Sequence, residues 1–267
     1  MDTGKIKQHS ARKVYLEAAR IISAFFVIFN HTGDNGFFLF SQTEWGSITF
    51  WICLFFSVFC KLSVPLFFMI SGALMLHREN EPLGSLWKNR IGKNVLIIVL
   101  FAGCNYILDL MYAPDHADLK SVIHSVVSGD LCGATYWYGH LWFLYAYIAY
   151  LWCLPFLRAL VKNLDDRYFY YLMGTVLVMN GILPAVEYLI SGGAAHLSRN
   201  LLPGWLSQDI VLYPCIGYFL EHRMDIQKQR NRIKWLWAAD FAGIALTSVL
   251  IYREAIVTQV LSESTSQ

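Results

Sequence analysis

The chain has 267 residues, of which 56% are hydrophobic, 16% aromatic and only 15% charged, and its mean hydropathy is +0.43. A soluble domain carries about 25% charged residues, so the composition excludes an ordinary globular surface and points to an integral membrane protein. The net charge of +2 comes with no basic stripe, only short clusters between apolar runs, and no nucleic-acid partner is expected.

The first apolar segment, Val14–His31, carries Glu17 and Arg20 and lacks a small-x-small cleavage site, so it reads as a retained membrane helix rather than a signal peptide. Arg20 and His31 stand eleven residues apart. At 100° per residue that separation is about 20° from three full turns and rises about 16 Å, so both lie on one helix face. Ionisable groups within a membrane segment usually face a bundle interior or a wet cavity, and the first helix is expected to line a polar path. The alternative is that Arg20 pairs with Glu17, three residues earlier, and only locks the helix.

The second segment, Ile48–Leu76, is too long for one straight span, and Pro65 is expected to break or bend it. No G-x-S-x-G elbow surrounds Ser71, so Ser71 and Gly72 suggest close helix packing rather than a serine nucleophile. Arg90 and Lys93, in NRIGKN, open the third segment, Val95–Tyr112. Three residues apart on a helix, they share a face and are suited to the phosphates of an anion. From spacing alone, the favoured reading is ordinary positive-inside anchoring, with both side chains snorkelling at the membrane surface. A polar, acidic loop, Ala113–Gly139, is expected to cap the outer mouth of the bundle. His140 and Trp142 start the fourth segment, His140–Leu160, with Trp142 placed as an aromatic-belt anchor. Tyr168–Ile190, the short Ser207–Leu220 and Trp235–Tyr252 complete the set.

With the N-terminus inside, 16 lysines and arginines fall in inner segments and only Lys120, Arg199 and Arg253 in outer ones. That alternation satisfies the positive-inside rule. The expected fold is an all-α polytopic bundle of about seven transmembrane helices with a cytoplasmic N-terminus. It divides into a cytoplasmic segment over 1–13, a transmembrane domain over 14–252 and a polar tail over 253–267. The six cysteines show no ligand spacing, and neither a metal site nor a disulfide framework is expected.

Four blocks in order then resemble the acyltransferase 3 family of integral membrane O-acyltransferases: EAARIISAFFVIFNH, VPLFFMISGALML, NRIGK and HLWFLYAYIAYLWCLPFL. The resemblance implies transfer of an acyl group, most often acetyl, from cytoplasmic acyl-CoA to a hydroxyl of a surface polysaccharide, lipid-linked glycan or other exported acceptor. Acyl-CoA would be a donor substrate, with no tightly bound cofactor. The setting would be membrane lipid, and the location the bacterial plasma membrane.

By the same resemblance His31 matches the essential histidine and Arg20 its partner, while Arg90 and Lys93 match the pair that engages the donor. Glu17, Asp34, Ser71, His140 and Trp142 take supporting places. A neutral imidazole can take the proton of a sugar hydroxyl or hold the acyl group transiently.

The pattern departs from the family at Lys93, where arginine is usual, and at Glu17, where aspartate is commoner. Gly36 stands where an acidic residue often follows the histidine, with Asp34 a nearby substitute. Relatives usually have more membrane helices, which leaves a truncated, inactive member as one alternative. The other is a transport or sensory module related to the membrane domain of serine racemases.

Overall fold

Hydrocarbon offers no partner to backbone N–H and C=O groups, and a helix satisfies them within a single segment. The computed structural model describes residues 13–78, 81–112, 114, 118–129, 141–191, 209–225 and 230–265. Among the described residues every regular element is helical and no strand forms. Helix α1 (Val14–Asn30) leads through two 3-10 turns, Gly33–Asn35 and Leu39–Gln42, to α2 (Ile48–Cys60) and α3 (Ser63–Met75). There follow α4 (Leu83–Leu86), α5 (Gly92–Tyr112), α6 (Leu119–Ser128) and α7 (Trp142–Asn163). The series ends with α8 (Asp166–Val176), α9 (Leu183–Ser191), α10 (Asp209–His222) and α11 (Arg230–Thr265). Among the described residues three stretches are long and apolar enough to cross a membrane: Ile48–Met75, Leu83–Tyr112 and Trp142–Asn163.

The break expected at Pro65 falls one turn earlier, at Lys61–Leu62. Proline is tolerated in the first turn of a helix, where its missing N–H would have had no partner. Its ring bars a continuous helix through the preceding turn, so α3 restarts just before it. The third segment begins at Leu83 rather than Val95 and passes through a π-helical turn, Trp87–Ile91, before α5. The fifth runs as α8, a π-helical turn over Leu177–Ile182, and α9. Pro184 has no N–H to offer the turn before it, and the hydrogen-bond ladder widens there.

The sixth forms α10, whose 14 residues rise about 21 Å, short of a core of about 30 Å. The seventh, expected to end at Tyr252, continues as helix to Thr265. Within the expected loop Ala113–Gly139 lies α6. Asp118 opens it by accepting from the backbone N–H of Lys120 (3.2 Å) and Ser121 (3.0 Å) and from the Ser121 hydroxyl (2.7 Å). These bonds, the Ser121 hydroxyl foremost, hold the Asp118 carboxyl below its ordinary value. Val122 and Val126 of α6 pack with Ala102 and Tyr106 of α5, with Leu141 just before α7, and with Leu144 and Tyr145 of α7.

The chain divides into two compact units, one of residues up to Ile70 together with Ala242 onward, the other Ser71–Phe241. In the first, α1 meets α2 edge-to-face through Phe26 and Phe29 against Phe56 and Phe59, at 5.0–6.3 Å. Asn30 donates to the Cys60 carbonyl (2.9 Å), which the break after α2 leaves without a helical partner. Phe50, Leu54 and Val58 are buried with Ile244 of α11, and the Tyr252 ring lies 4.9 Å from that of Trp51.

In the second unit, Tyr150, Leu151, Leu154, Leu157 and Val161 form the buried stripe of α7 at helical spacing. Phe169 of α8 stacks on Phe219 of α10 at 5.0 Å. Gly72 of α3 is buried, and a β-carbon there would overlap the backbone of Pro214 in α10. That close approach fulfils the packing role expected of the small residues. Nothing lies within 4 Å of where a β-carbon would stand on Gly103 in α5. Gly72→Ala should therefore force α3 and α10 apart and remove roughly 1–3 kcal/mol of stability. Gly103→Ala should be neutral or stabilising by up to about 1 kcal/mol. Thermal unfolding of the two variants in detergent checks the contrast.

Candidate functional site

The two groups singled out on α1 sit at the edge of its buried face. Leu16 and Ser23 are buried and Asn30 is half-buried, and these positions repeat at seven-residue spacing. At 100° per residue, Arg20 and His31 lie about 40–60° to one side of Leu16, flanking that stripe. Arg20 Nη1 stands 3.3 Å from both carboxylate oxygens of Glu17, so the pairing anticipated at i and i+3 forms. The two side chains remain 44% and 33% exposed, and an ion pair this open contributes about 0–1 kcal/mol in water. It orients Arg20 without burying it.

His31 is exposed and follows the last residue of α1, its backbone N–H bonding the Ile28 carbonyl. Its Nδ1 lies 2.8 Å from the Val27 carbonyl oxygen. A carbonyl can only accept, so Nδ1 carries the proton in this bond and the neutral ring keeps its lone pair on Nε2.

Asp34 is exposed in the 3-10 turn that follows, and its carbonyl accepts from Gln42 (3.2 Å). Gly36 is buried, and a β-carbon there would overlap the Phe29 carbonyl oxygen and the Thr32 hydroxyl. The close turn thus leaves no room for an acidic side chain at position 36.

Arg90 and Lys93 part company. Arg90 lies in the π-helical turn, and its Nε donates to Glu81 Oε1 at 2.7 Å. Lys93 is exposed in the first turn of α5 and forms no ion pair among the described residues. The second guanidinium on Glu81 comes from α7, where Arg158 Nη2 stands 2.9 Å from Oε2. Arg158 Nε also donates to the Met75 carbonyl (3.0 Å) at the C-terminal end of α3, which accepts in addition from the Arg78 backbone N–H (3.3 Å). The Met75 sulfur lies 4.0 Å from Arg90 Nη1 and 3.7 Å from the Tyr147 hydroxyl.

Burial acts to raise the Glu81 carboxyl, but the hydrogen bonds and charges of Arg90 and Arg158 outweigh it and hold the group below its ordinary value. His77, two residues after α3, stacks on His222 of α10 with ring centroids 4.4 Å apart, and His222 Nε2 bonds the Ala73 carbonyl (2.8 Å).

Of the remaining expected residues, Ser71 is half-buried in α3 and Trp142 is the first residue of α7, 43% exposed. His140 lies outside the described residues. No group of three or more potential metal ligands occurs among the described residues. Glu81 and Arg158 were absent from the sequence-based site. The sequence does carry a signal for Arg158, an arginine within a largely apolar helix, but a tally of charges by side counts it only as inner-side charge.

A family model described as an acyltransferase domain matches residues 13–262. No curated protein matches the chain. No solved structure matches it either.

The depressed Glu81 carboxyl links the bridge to pH. Its contribution to stability is fully present above the ordinary carboxylate pKa and is lost as pH falls through the lower folded value. The melting temperature of the wild-type chain should therefore fall more steeply on acidification than that of Glu81→Gln. Parallel thermal scans down through the acid range measure the difference.

Proposed function

The chain belongs to the acyltransferase 3 family, and from that premise we propose that it transfers an acyl group, acetyl first among them, from cytoplasmic acyl-CoA to a hydroxyl of an extracytoplasmic glycan. The observation that carries this reading is the hydrogen bond from His31 Nδ1 to the Val27 carbonyl. It fixes the tautomer a general base needs, with the Nε2 lone pair turned away from the helix backbone.

In the proposed reaction Nε2 accepts the proton of the acceptor hydroxyl as its oxygen attacks the thioester carbonyl. The carbon–sulfur bond breaks, and the imidazolium returns the proton to the departing CoA thiolate. Arg20, oriented by Glu17 on the same helix, supplies positive charge on the face that carries His31. Arg90 and Lys93 serve the phosphates of the donor, Arg90 as a planar fork and Lys93 as a point charge. Asp34, Ser71, His140 and Trp142 take supporting places, by resemblance alone.

The 16-to-3 partition of basic residues supports a cytoplasmic N-terminus and about seven crossings of a bacterial plasma membrane. On that topology the basic pair at Arg90 and Lys93 belongs to the side where acyl-CoA is made.

His31→Ala should lower acyl transfer by a factor of about 10²–10⁴ while membrane insertion stays intact. Mass spectrometry of surface glycans from cells expressing each form measures it, through the added acetyl mass. Undiminished transfer in the variant would overturn the assignment. Arg90→Ala should instead raise the acetyl-CoA concentration needed for half-maximal rate, and a change in protein abundance alone would return Arg90 to an anchoring role.

A further inference from the structure

Within the Ser71–Phe241 unit, two guanidinium groups from different helices converge on a single carboxylate, and the charges do not balance. Arg90 and Arg158 carry two positive charges and Glu81 returns one negative charge. All three side chains are substantially buried, at 27%, 14% and 15% exposure. A net positive charge in such surroundings is expensive to leave without a counter-ion.

The donors are also in surplus. Arg90 uses Nε on Glu81 and Nη1 on the Met75 sulfur, and Arg158 uses Nε on the Met75 carbonyl and Nη2 on Glu81. Among the described residues Arg90 Nη2 and Arg158 Nη1 have no partner.

The three groups differ in how firmly they are held. Both arginines stand on helical backbone, and Arg158 is further tied to the end of α3. Glu81 itself stands outside the helices, two residues before α4. The carboxylate is thus the member of the cluster able to leave. A phosphate has more acceptor oxygens than a carboxylate, and it matches two guanidinium forks in charge and geometry better than Glu81 does.

We propose that Arg90 and Arg158 together form the phosphate site for the acyl donor, and that Glu81 is an internal carboxylate occupying this site until a donor phosphate displaces it. The inference rests on the acyl-CoA reading above and adds two residues to it. Arg158 becomes a donor-binding residue, and Glu81 a built-in competitor that keeps the fork assembled when no donor is present.

Titration calorimetry on the full chain in lipid nanodiscs tests this with two probes. Acetyl-CoA carries the phosphates, whereas S-acetylpantetheine presents the same thioester and arm without them. Arg158→Lys and Arg158→Ala should weaken acetyl-CoA binding about tenfold or more, the loss of a charge-assisted pair, and leave S-acetylpantetheine unchanged. Glu81→Gln should tighten acetyl-CoA binding several-fold, again with no effect on the phosphate-free probe.

A loss shared equally by both probes, or no loss in either Arg158 variant, would make Arg158 a cap for α3 and overturn the inference. Weaker acetyl-CoA binding in Glu81→Gln would remove the competitor role. Because Arg158→Ala also removes a bond to the end of α3, the lysine variant and Glu81→Gln keep the test decisive if the alanine form fails to fold. A wild-type chain that binds neither probe would instead defeat the acyl-CoA reading itself, whereas wild-type binding that all the variants retain unchanged would defeat only this inference.

Discussion

An arginine inside an apolar helix is the constraint around which one end of the Ser71–Phe241 unit is arranged. Arg158 belongs to the stripe-bearing helix α7, with Leu157 buried before it and Val161 buried beyond it. A guanidinium so placed is strongly disfavoured unless its donors find acceptors. It finds two from different parts of the chain, the carbonyl that ends α3 and the carboxylate that precedes α4. Glu81, once fixed, selects the direction of Arg90, and the widened π-helical turn at Trp87–Ile91 is the backbone from which Arg90 reaches it. Removing Arg158 would leave a half-buried carboxylate facing one cation and the Met75 carbonyl with only the Arg78 backbone N–H.

The polar constellation on α1 is built in the opposite way. Arg20, Glu17 and His31 owe their mutual placement to the helix period, and the hydrogen bond that sets the His31 tautomer comes from its own helix, four residues back. No tertiary contact is needed to present Nε2. Tertiary contacts enter only in seating the helix: Phe26 and Phe29 pack on α2, and Asn30, adjacent to His31, bonds the carbonyl at the end of α2. The break in the second apolar segment therefore has a function in packing. It frees the Cys60 carbonyl that fixes where α1 ends, and with it where His31 stands.

This difference explains what could be read from the sequence. The Glu17–Arg20 pair, the shared face of Arg20 and His31, the interruption near Pro65 and the close packing at Gly72 all depend on residues a few positions apart, and spacing exposes such relations. Glu81 and Arg158 are 77 positions apart. Nothing local marks them as partners, and a tally of basic residues by side treats Arg158 like any anchoring charge. Helix α6 was missed for another reason. Its stretch is too short and polar to register as a membrane segment, and its stability comes from the Asp118 cap and from Val122 and Val126 packing on neighbouring helices. The reach of α11 to Thr265 was likewise hidden, because hydropathy marks where a segment turns polar and a helix can continue past that point.

Lys93 shows how the two kinds of legibility meet. Sought along the chain, the basic pair of Arg90 and Lys93 departs from the family pattern, because a lysine offers a point charge where a second planar fork is usual. The folded chain sets Lys93 apart from Arg90 and brings a different guanidinium to it, that of Arg158, across helices rather than along one. Guanidinium groups that converge on one anion need only meet in space, whatever their separation in sequence. A lysine at position 93 therefore leaves the Glu81 site with its geometry whole, since both of the forks that meet there are arginines.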